Sequence, residues 1–276
     1  MSVSVIYCEG NSGTYDIRVL RQILPKCEIK PLGGKSFMKK IIPDRLVVPN
    51  LAGIVDRDFD NYDITPQNSP LPYTYQGVQI GWKWERKEIE NYLIDPVVVN
   101  RTIRSKIPSM NSYREALDQA AKEIAVYTAA RAALTSFGFP NCWGEEIEGI
   151  YGYFPRKSDE KAVRENIKKI VNKNKGDRIV TAQNVLNKFE ELLPLFKPGG
   201  DKYNNYLTFF AGKDLLWKMQ NKLSEFGFVT TTSGVNSSIT IFLNTIVKTM
   251  EQKEEVWTWL PEWQAMRNQI TNTTFS

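Results

Sequence analysis

The chain has 276 residues, no histidine, and 36 Lys and Arg against 31 Asp and Glu, for a net charge of +5. The missing imidazole excludes serine or cysteine nucleophiles activated by histidine, histidine-held zinc and histidine acid–base pairs. Chemistry must then rest on carboxylates, lysines and arginines, hydroxyls, the three cysteines or a bound metal. At roughly 150 residues per domain the length predicts about two domains, and 42% hydrophobic residues are enough for a core. Cys8, Cys27 and Cys142 form no CxxC pair, so they are expected as reduced thiols packed as small apolar groups. The start, Met1 to Glu9, lacks the basic and apolar regions of a signal peptide, and no stretch reaches the roughly 18 apolar residues of a membrane span. The expectation is a cytoplasmic chain with no membrane partner, whose mild positive charge permits a polyanionic one.

In chain order, Ser2 to Cys8 is a β-branched run that ends in Glu9-Gly10, and Ile17, Leu20 and Leu24 mark one face of a helix over Thr14 to Leu24. Glu28 to Leu32 reads as a second strand ending in Gly33-Gly34, followed by a helix or turn near Ser36 to Ile42. A third strand is expected over Leu46 to Val55 and a fourth extended segment over Tyr75 to Trp84, before a helical stretch from about Arg86. Apolar strands alternating with short helices predict a mainly parallel, Rossmann-like sheet covered by helices. Past Pro96 helical periodicity takes over. Helices are expected at about Ser112 to Phe137, Asp159 to Asn174, Thr181 to Phe196, Lys213 to Phe226, Ser237 to Lys253 and Pro261 to Ile270, with loops at Gly138 to Pro155 and Lys197 to Lys202. The predicted organisation is an α/β domain over residues 1–100 and an α-helical domain over 101–276 that binds a partner or nucleic acid.

Active sites of open parallel sheets gather at the carboxyl ends of the strands. Acids fall there after the first strand (Glu9), the third (Asp56, Asp58, Asp60) and the fourth (Glu88, Glu90). Crowded carboxylates raise one another's pKa unless a cation neutralises them, and hard oxygen ligands suit magnesium or manganese. If the third strand continues through Ile54-Val55-Asp56-Arg57-Asp58, both aspartates point to one side and can share an ion. Gly10 lets the backbone turn so that Glu9 can face the same crevice. Metal ions so held support phosphodiester cleavage without histidine.

The strings Val5-Ile6-Tyr7-Cys8-Glu9-Gly10, Gly33-Gly34, Gly53-Ile54-Val55-Asp56-Arg57-Asp58 and Glu88-Ile89-Glu90-Asn91-Tyr92-Leu93 together resemble a Toprim domain. The variety is that of Overcoming-Lysogenisation-Defect (OLD) nucleases and of the AriB-like effectors of the PARIS anti-phage defence system. The resemblance covers roughly residues 1–100, and Ala211-Gly212-Lys213-Asp214-Leu215-Leu216 is similar to a Gly-Lys segment of these relatives. It implies a Toprim fold and an Mg²⁺- or Mn²⁺-dependent nuclease with Glu9, Asp56, Asp58 and Glu90 as catalytic metal ligands. It implies Lys213 as a catalytic lysine stabilising phosphate or leaving oxygen. It also implies a DNA or RNA substrate, including transfer RNA, a toxic role in antiviral defence and a separate ABC/OLD-type ATPase partner; a homodimer is one assembly open to the chain. One departure is that position 13, where related chains often carry aspartate, is Gly13, and the nearest aspartate is Asp16.

Plainer readings stand beside these. Glu90 is also an ordinary first-turn acid, Lys213 a surface lysine, and Lys157, Lys161, Arg164 and Lys168 either a stripe following a phosphate backbone or a solvated face. Tyr73, Tyr75, Trp82 and Trp84 either stack on bases or fill a core. Gly33-Gly34-Lys35-Ser36 lacks the earlier glycine of a phosphate loop, because position 29 is Ile29. Two rival functions remain open: DNA processing of the topoisomerase or primase type, and a non-catalytic interaction module.

Overall fold

The computed structural model describes residues 2–60, 62–147, 150–229 and 237–275. Two compact units divide the chain, one of 1–57, 65–103 and 244–276, the other of 58–64 and 104–243. Compared with the boundary expected at residue 100, the chain passes into the helical unit after residue 103 and returns to the sheet unit at residue 244.

The first unit begins with β1 (Val5–Glu9), α1 (Tyr15–Ile23), β2 (Glu28–Gly33), a 3-10 helix at Lys35–Lys40, α2 (Ile41–Asp44) and β3 (Leu51–Val55). It continues with β4 (Leu71–Tyr75), β5 (Val78–Lys83), α3 (Glu90–Leu93) and α4 (Pro96–Ile103). The five strands are ordered β2-β1-β3-β5-β4, all parallel except β4, which runs antiparallel to β5. This is the expected α/β architecture with a mainly parallel sheet.

Strand alternation sorts the side chains between two faces. Val5 and Tyr7 of β1 pack with Met38, Ile41, Leu51, Val55 and Ile80 on one face, while Ile6 and Cys8 are buried on the other. Central β3 is buried at every position, as a parallel strand covered on both sides must be. A Cβ at Gly81 would lie 1.9 Å from the Gly53 carbonyl oxygen, so the β3–β5 pairing requires glycine there.

Two expected strands change. Leu46 and Val47 are exposed (87% and 84%), because the amides of residues 46–48 bond back to the Pro43 and Asp44 carbonyls and the strand starts only at Leu51. The segment read as Tyr75 to Trp84 is the second half of a hairpin. Gln76 and Gly77 turn it with φ of 51° and 79°, the positive pair that matches strand twist.

The second unit contains α5 (Met110–Ser136), β6 (Glu145–Ile147), β7 (Ile150–Phe154), α6 (Glu160–Asn174), α7 (Ala182–Phe196), α8 (Asp201–Asn204), α9 (Tyr206–Phe209) and α10 (Gly212–Glu225). Then α11 (Ser238–Met250) has residues counted in both units, and α12 (Pro261–Asn272) belongs to the first. Ser109, Asp159 and Thr181 cap α5, α6 and α7 by accepting from the amide three residues on. The buried face of α5 is rich in alanine, including Ala116, Ala120, Ala121, Ala129 and Ala133, which lets α6, α7 and α10 pack against it. The β6–β7 hairpin lies in the stretch expected as the loop Gly138 to Pro155, of which residues 148 and 149 fall outside the described residues. Its strands are short, so they leave little periodicity to read. Among the described residues no helix is long and apolar enough to cross a membrane.

Candidate active site

Pairing fixes where the acids leave the sheet. In the β1–β3 register Cys8 lies opposite Ile54, so Glu9 and Asp56 emerge at the same edge. In the β3–β5 register Val55 lies opposite Lys83, which brings the segment after β5 there too. Gly10 makes the turn with φ +91°, where a Cβ would strike the Thr14 Oγ1 at 2.7 Å, and its amide donates to the Gly33 carbonyl at 3.1 Å. The chain then enters α1 with Asp16 in its first turn.

Electrostatics show the same convergence. The Cys8 thiol is pushed up to about 12, first by burial and then by the negative charges of Asp16, Asp56 and Glu9. It stays protonated, serving as a small buried group and neither a soft metal ligand nor a nucleophile. The Tyr15 phenol is raised by burial and then by Glu90. The first unit thus brings Glu9, Asp56 and Glu90 to one edge and adds Asp16. Among the described residues, no group of three His, Cys, Asp or Glu side chains is arranged to hold one metal ion. The donors nonetheless fit magnesium chemically, because that ion commonly takes only one or two carboxylates and completes its shell with water and phosphate oxygen.

Asp58 departs from the expected geometry. β3 ends at Val55, Asp58 is exposed with φ +54°, and the strand alternation that would align it with Asp56 is therefore lost. Between them Arg57 is fully buried, and its Nε donates to the Glu85 carbonyl at 2.6 Å.

Asp58 and Lys213 both belong to the second unit, where they share an anchor. Phe59, next to Asp58, lies 4.2 Å beneath the Arg131 guanidinium. Asp214, next to half-buried Lys213, pairs with Arg131 Nη1 at 2.5 Å. Burial opposes the charge of Arg131, but Asp214 more than compensates and holds the guanidinium above its ordinary range. Sequence reasoning missed Arg131; a lone arginine within Thr128-Ala129-Ala130-Arg131-Ala132-Ala133-Leu134 was the available signal.

A second missed group lies at the start of α12. Glu262 is 3% exposed, and its Oε1 accepts from the Glu85 amide at 2.6 Å while Tyr92 hydrogen-bonds the same carboxylate. Burial pushes Glu262 up to about 7, against the lowering pull of Tyr92, the Glu85 amide and Arg86. Glu85 in turn accepts from the Gln67 and Ser69 amides, the latter at 2.9 Å, and Arg86 pairs with Asp95 at 2.8 Å. In sequence Glu262 follows Pro261 at the start of a helix, a place where an acid is ordinary.

The remaining candidates resolve in different ways. Lys157, Lys161 and Lys168 are exposed, but Arg164 is engaged by Glu190 and Glu160, which interrupts the basic stripe. Trp82 and Trp84 are core residues, with Trp84 4.9 Å from Tyr92, whereas Tyr75 is exposed at the hairpin. Cys142 is exposed and accepts from Arg131 at 3.2 Å, unlike the buried thiol expected. Comparison with protein-family models and with curated proteins finds no match.

Proposed function

We propose that this chain is a metal-dependent phosphodiesterase that cleaves nucleic acid, built on a Toprim-like sheet. The observation that carries the reading is the convergence of Glu9, Asp16 and Asp56 around the Cys8 thiol at the carboxyl edge of neighbouring parallel strands. Crowding carboxylates together is costly, and a divalent cation offsets that cost. Glu9 and Asp56 would hold Mg²⁺ or Mn²⁺, with Asp16 and Glu90 as further acids of the same unit. When bound, the ion supplies Lewis acidity and an activated water. Glu9 and Asp56 orient that charge, and the fold keeps Cys8 out of the chemistry by holding it as a thiol. The resemblance also implies roles for Asp58 and Lys213, which belong to the second unit, where Arg131 holds the residue next to each. The resemblance to OLD and AriB-like nucleases extends the reading to a toxic effector in phage defence, released by a partner ATPase.

The test is to incubate purified protein with labelled plasmid and with total RNA, in magnesium, manganese or EDTA, beside Asp56→Ala. Cleavage should require the metal and fall about 100-fold in the variant; cleavage that persists in Asp56→Ala refutes the assignment. Co-purification with the products of neighbouring genes should bring down an ATPase. A second reading, an interaction module that keeps the fold without catalysis, draws on the observation that among the described residues no three ligands are arranged around one ion. It predicts no metal-dependent cleavage with or without the partner.

A further inference from the structure

We propose that Glu262, on α12, is a positioning residue for the segment that carries Glu88 and Glu90, so that the sheet unit is completed by a helix distant in sequence. The proposal rests on the nuclease reading for its effect on catalysis and on hydrogen bonding for its geometry.

The loop from Glu85 to Tyr92 is tied at both ends to one carboxylate. Glu262 Oε1 takes the Glu85 amide at 2.6 Å, from 177 residues away in sequence, and the same carboxylate bonds the Tyr92 hydroxyl. The loop is also closed on itself. The Tyr92 hydroxyl accepts from the Arg86 amide at 3.2 Å, Arg86 Nη1 donates to the Asn91 carbonyl at 3.0 Å, and the Glu88 amide donates to Asn91 Oδ1 at 3.2 Å. Lys87, Glu88 and Glu90 belong to this stretch and are all under 10% exposed.

Glu85 is fixed through its other backbone group as well. Its carbonyl accepts from Arg57 Nε at 2.6 Å, and Arg57 is bonded in sequence to Asp56. The backbone of one residue, Glu85, therefore links the Asp56 segment, through Arg57, to the Glu88–Glu90 loop, and Glu262 holds its amide. Trp263, adjacent to Glu262 and fully buried, packs with its ring 6.0 Å from Tyr92, which keeps the helix from sliding. A buried carboxylate needs more than packing to justify its desolvation; here it satisfies a buried amide and a buried hydroxyl that no apolar residue could serve. Outer hydrogen bonds of this kind orient ligating groups, and their loss typically costs about 10- to 100-fold in metal affinity or activity.

The test uses the full chain as wild type, Glu262→Ala and Glu262→Gln, since the glutamine keeps an acceptor oxygen for the Glu85 amide. Three quantities are read: Mn²⁺ binding by electron paramagnetic resonance without substrate, the Mg²⁺ concentration for half-maximal cleavage, and amide hydrogen exchange. Glu262→Ala should accelerate exchange across Glu85 to Leu93, weaken Mn²⁺ binding about tenfold and raise the Mg²⁺ requirement by a similar factor. Glu262→Gln should restore both metal constants to within about threefold of wild type, which a loss of overall stability would not reproduce. Unchanged exchange over Glu85 to Leu93 in a folded Glu262→Ala protein overturns the positioning role, whatever the activity. Metal binding and cleavage equal to wild type in that variant overturn its functional consequence. Wild type that binds no Mn²⁺ and cuts nothing, with faster exchange in the variant, overturns the nuclease reading and retains Glu262 as the residue that positions the loop.

Discussion

The two units bury charge in different ways. In the helical unit, Arg131 meets Asp214 at 2.5 Å, with Phe59 beneath it; a single cation is matched to a single anion. In the sheet unit the charges of Arg57, Glu85, Arg86, Asp95 and Glu262 are spread over backbone amides and carbonyls as well as over one another. The matched pair leaves its guanidinium more firmly charged than usual. The distributed network leaves one carboxylate, Glu262, pushed up to about 7. A buried pair is therefore expected to be insensitive to pH and intolerant of losing a partner, while the network is expected to respond to pH near neutrality.

Removing half of the pair is the largest test of that contrast. Arg131→Ala strands the Asp214 carboxylate, 3% exposed, and should destabilise the protein by about 3–5 kcal/mol, read from urea unfolding. Replacing both residues by apolar ones, Arg131→Met with Asp214→Leu, should recover most of the loss, because no uncompensated charge remains. A double variant as unstable as the single one would show that Arg131 acts through Phe59 and through Asn141, whose Oδ1 accepts from Nη2 at 3.5 Å, more than through Asp214.

The network gives the next largest effect, and its sign follows from linkage. Glu262 carries a folded value of about 7 against an ordinary 4.5, so between those values the folded state holds a proton that the unfolded state has lost. Stability from this group is therefore greatest below about pH 4.5 and declines as pH rises to about 7, by on the order of 3 kcal/mol. Glu262→Gln cannot ionise, and the stability of wild type relative to it should fall across that window and level off above it. Chemical denaturation at several pH values measures the slope; a difference that does not vary with pH would place the titrating group elsewhere.

These two clusters also mark where the sequence stopped being readable. Local signals carried far: the β-branched run before Glu9-Gly10, the periodicity of Ile17 and Leu20, and the caps at Asp159 and Thr181 correspond to β1, α1, α6 and α7. Glu9 and Asp56 could be placed at one edge because alternating strands and helices imply parallel strands, whose carboxyl ends share an edge. What could not be read depends on contacts between distant residues. Glu262 meets Glu85 across 177 residues and Arg131 meets Asp214 across 83, and neither partner carries a local pattern that names the other. The direction of Asp58 was unreadable for the opposite reason, since β3 ends at Val55 and a left-handed φ at Asp58 breaks the alternation that would align it with Asp56. The Leu71–Lys83 hairpin was hidden because Gln76-Gly77 is a weaker turn signal than Asn-Gly.

Charge at the surface supplies the smallest expected effect and the limiting case of the comparison. Arg164 engages Glu190 and Glu160 but is 33% exposed, with partners at 50% and 40%. Water and salt screen such pairs, and the side chains lose rotamer freedom in forming them. Arg164→Ala should therefore shift stability by no more than about 1 kcal/mol, and the shift should disappear in about 1 M salt, where the screening length is only about 3 Å. The same variant bears on the helix as a nucleic-acid surface. With Arg164 already committed to two carboxylates, the exposed Lys161 and Lys168 would carry any phosphate contact. Binding of labelled single-stranded and duplex nucleic acid should then weaken in Lys161→Ala with Lys168→Ala, with a shallower dependence on salt, and stay near wild type in Arg164→Ala. Equal loss in both would mean that Arg164 leaves its carboxylates when phosphate arrives, and a surface pair would then behave as neither buried cluster can.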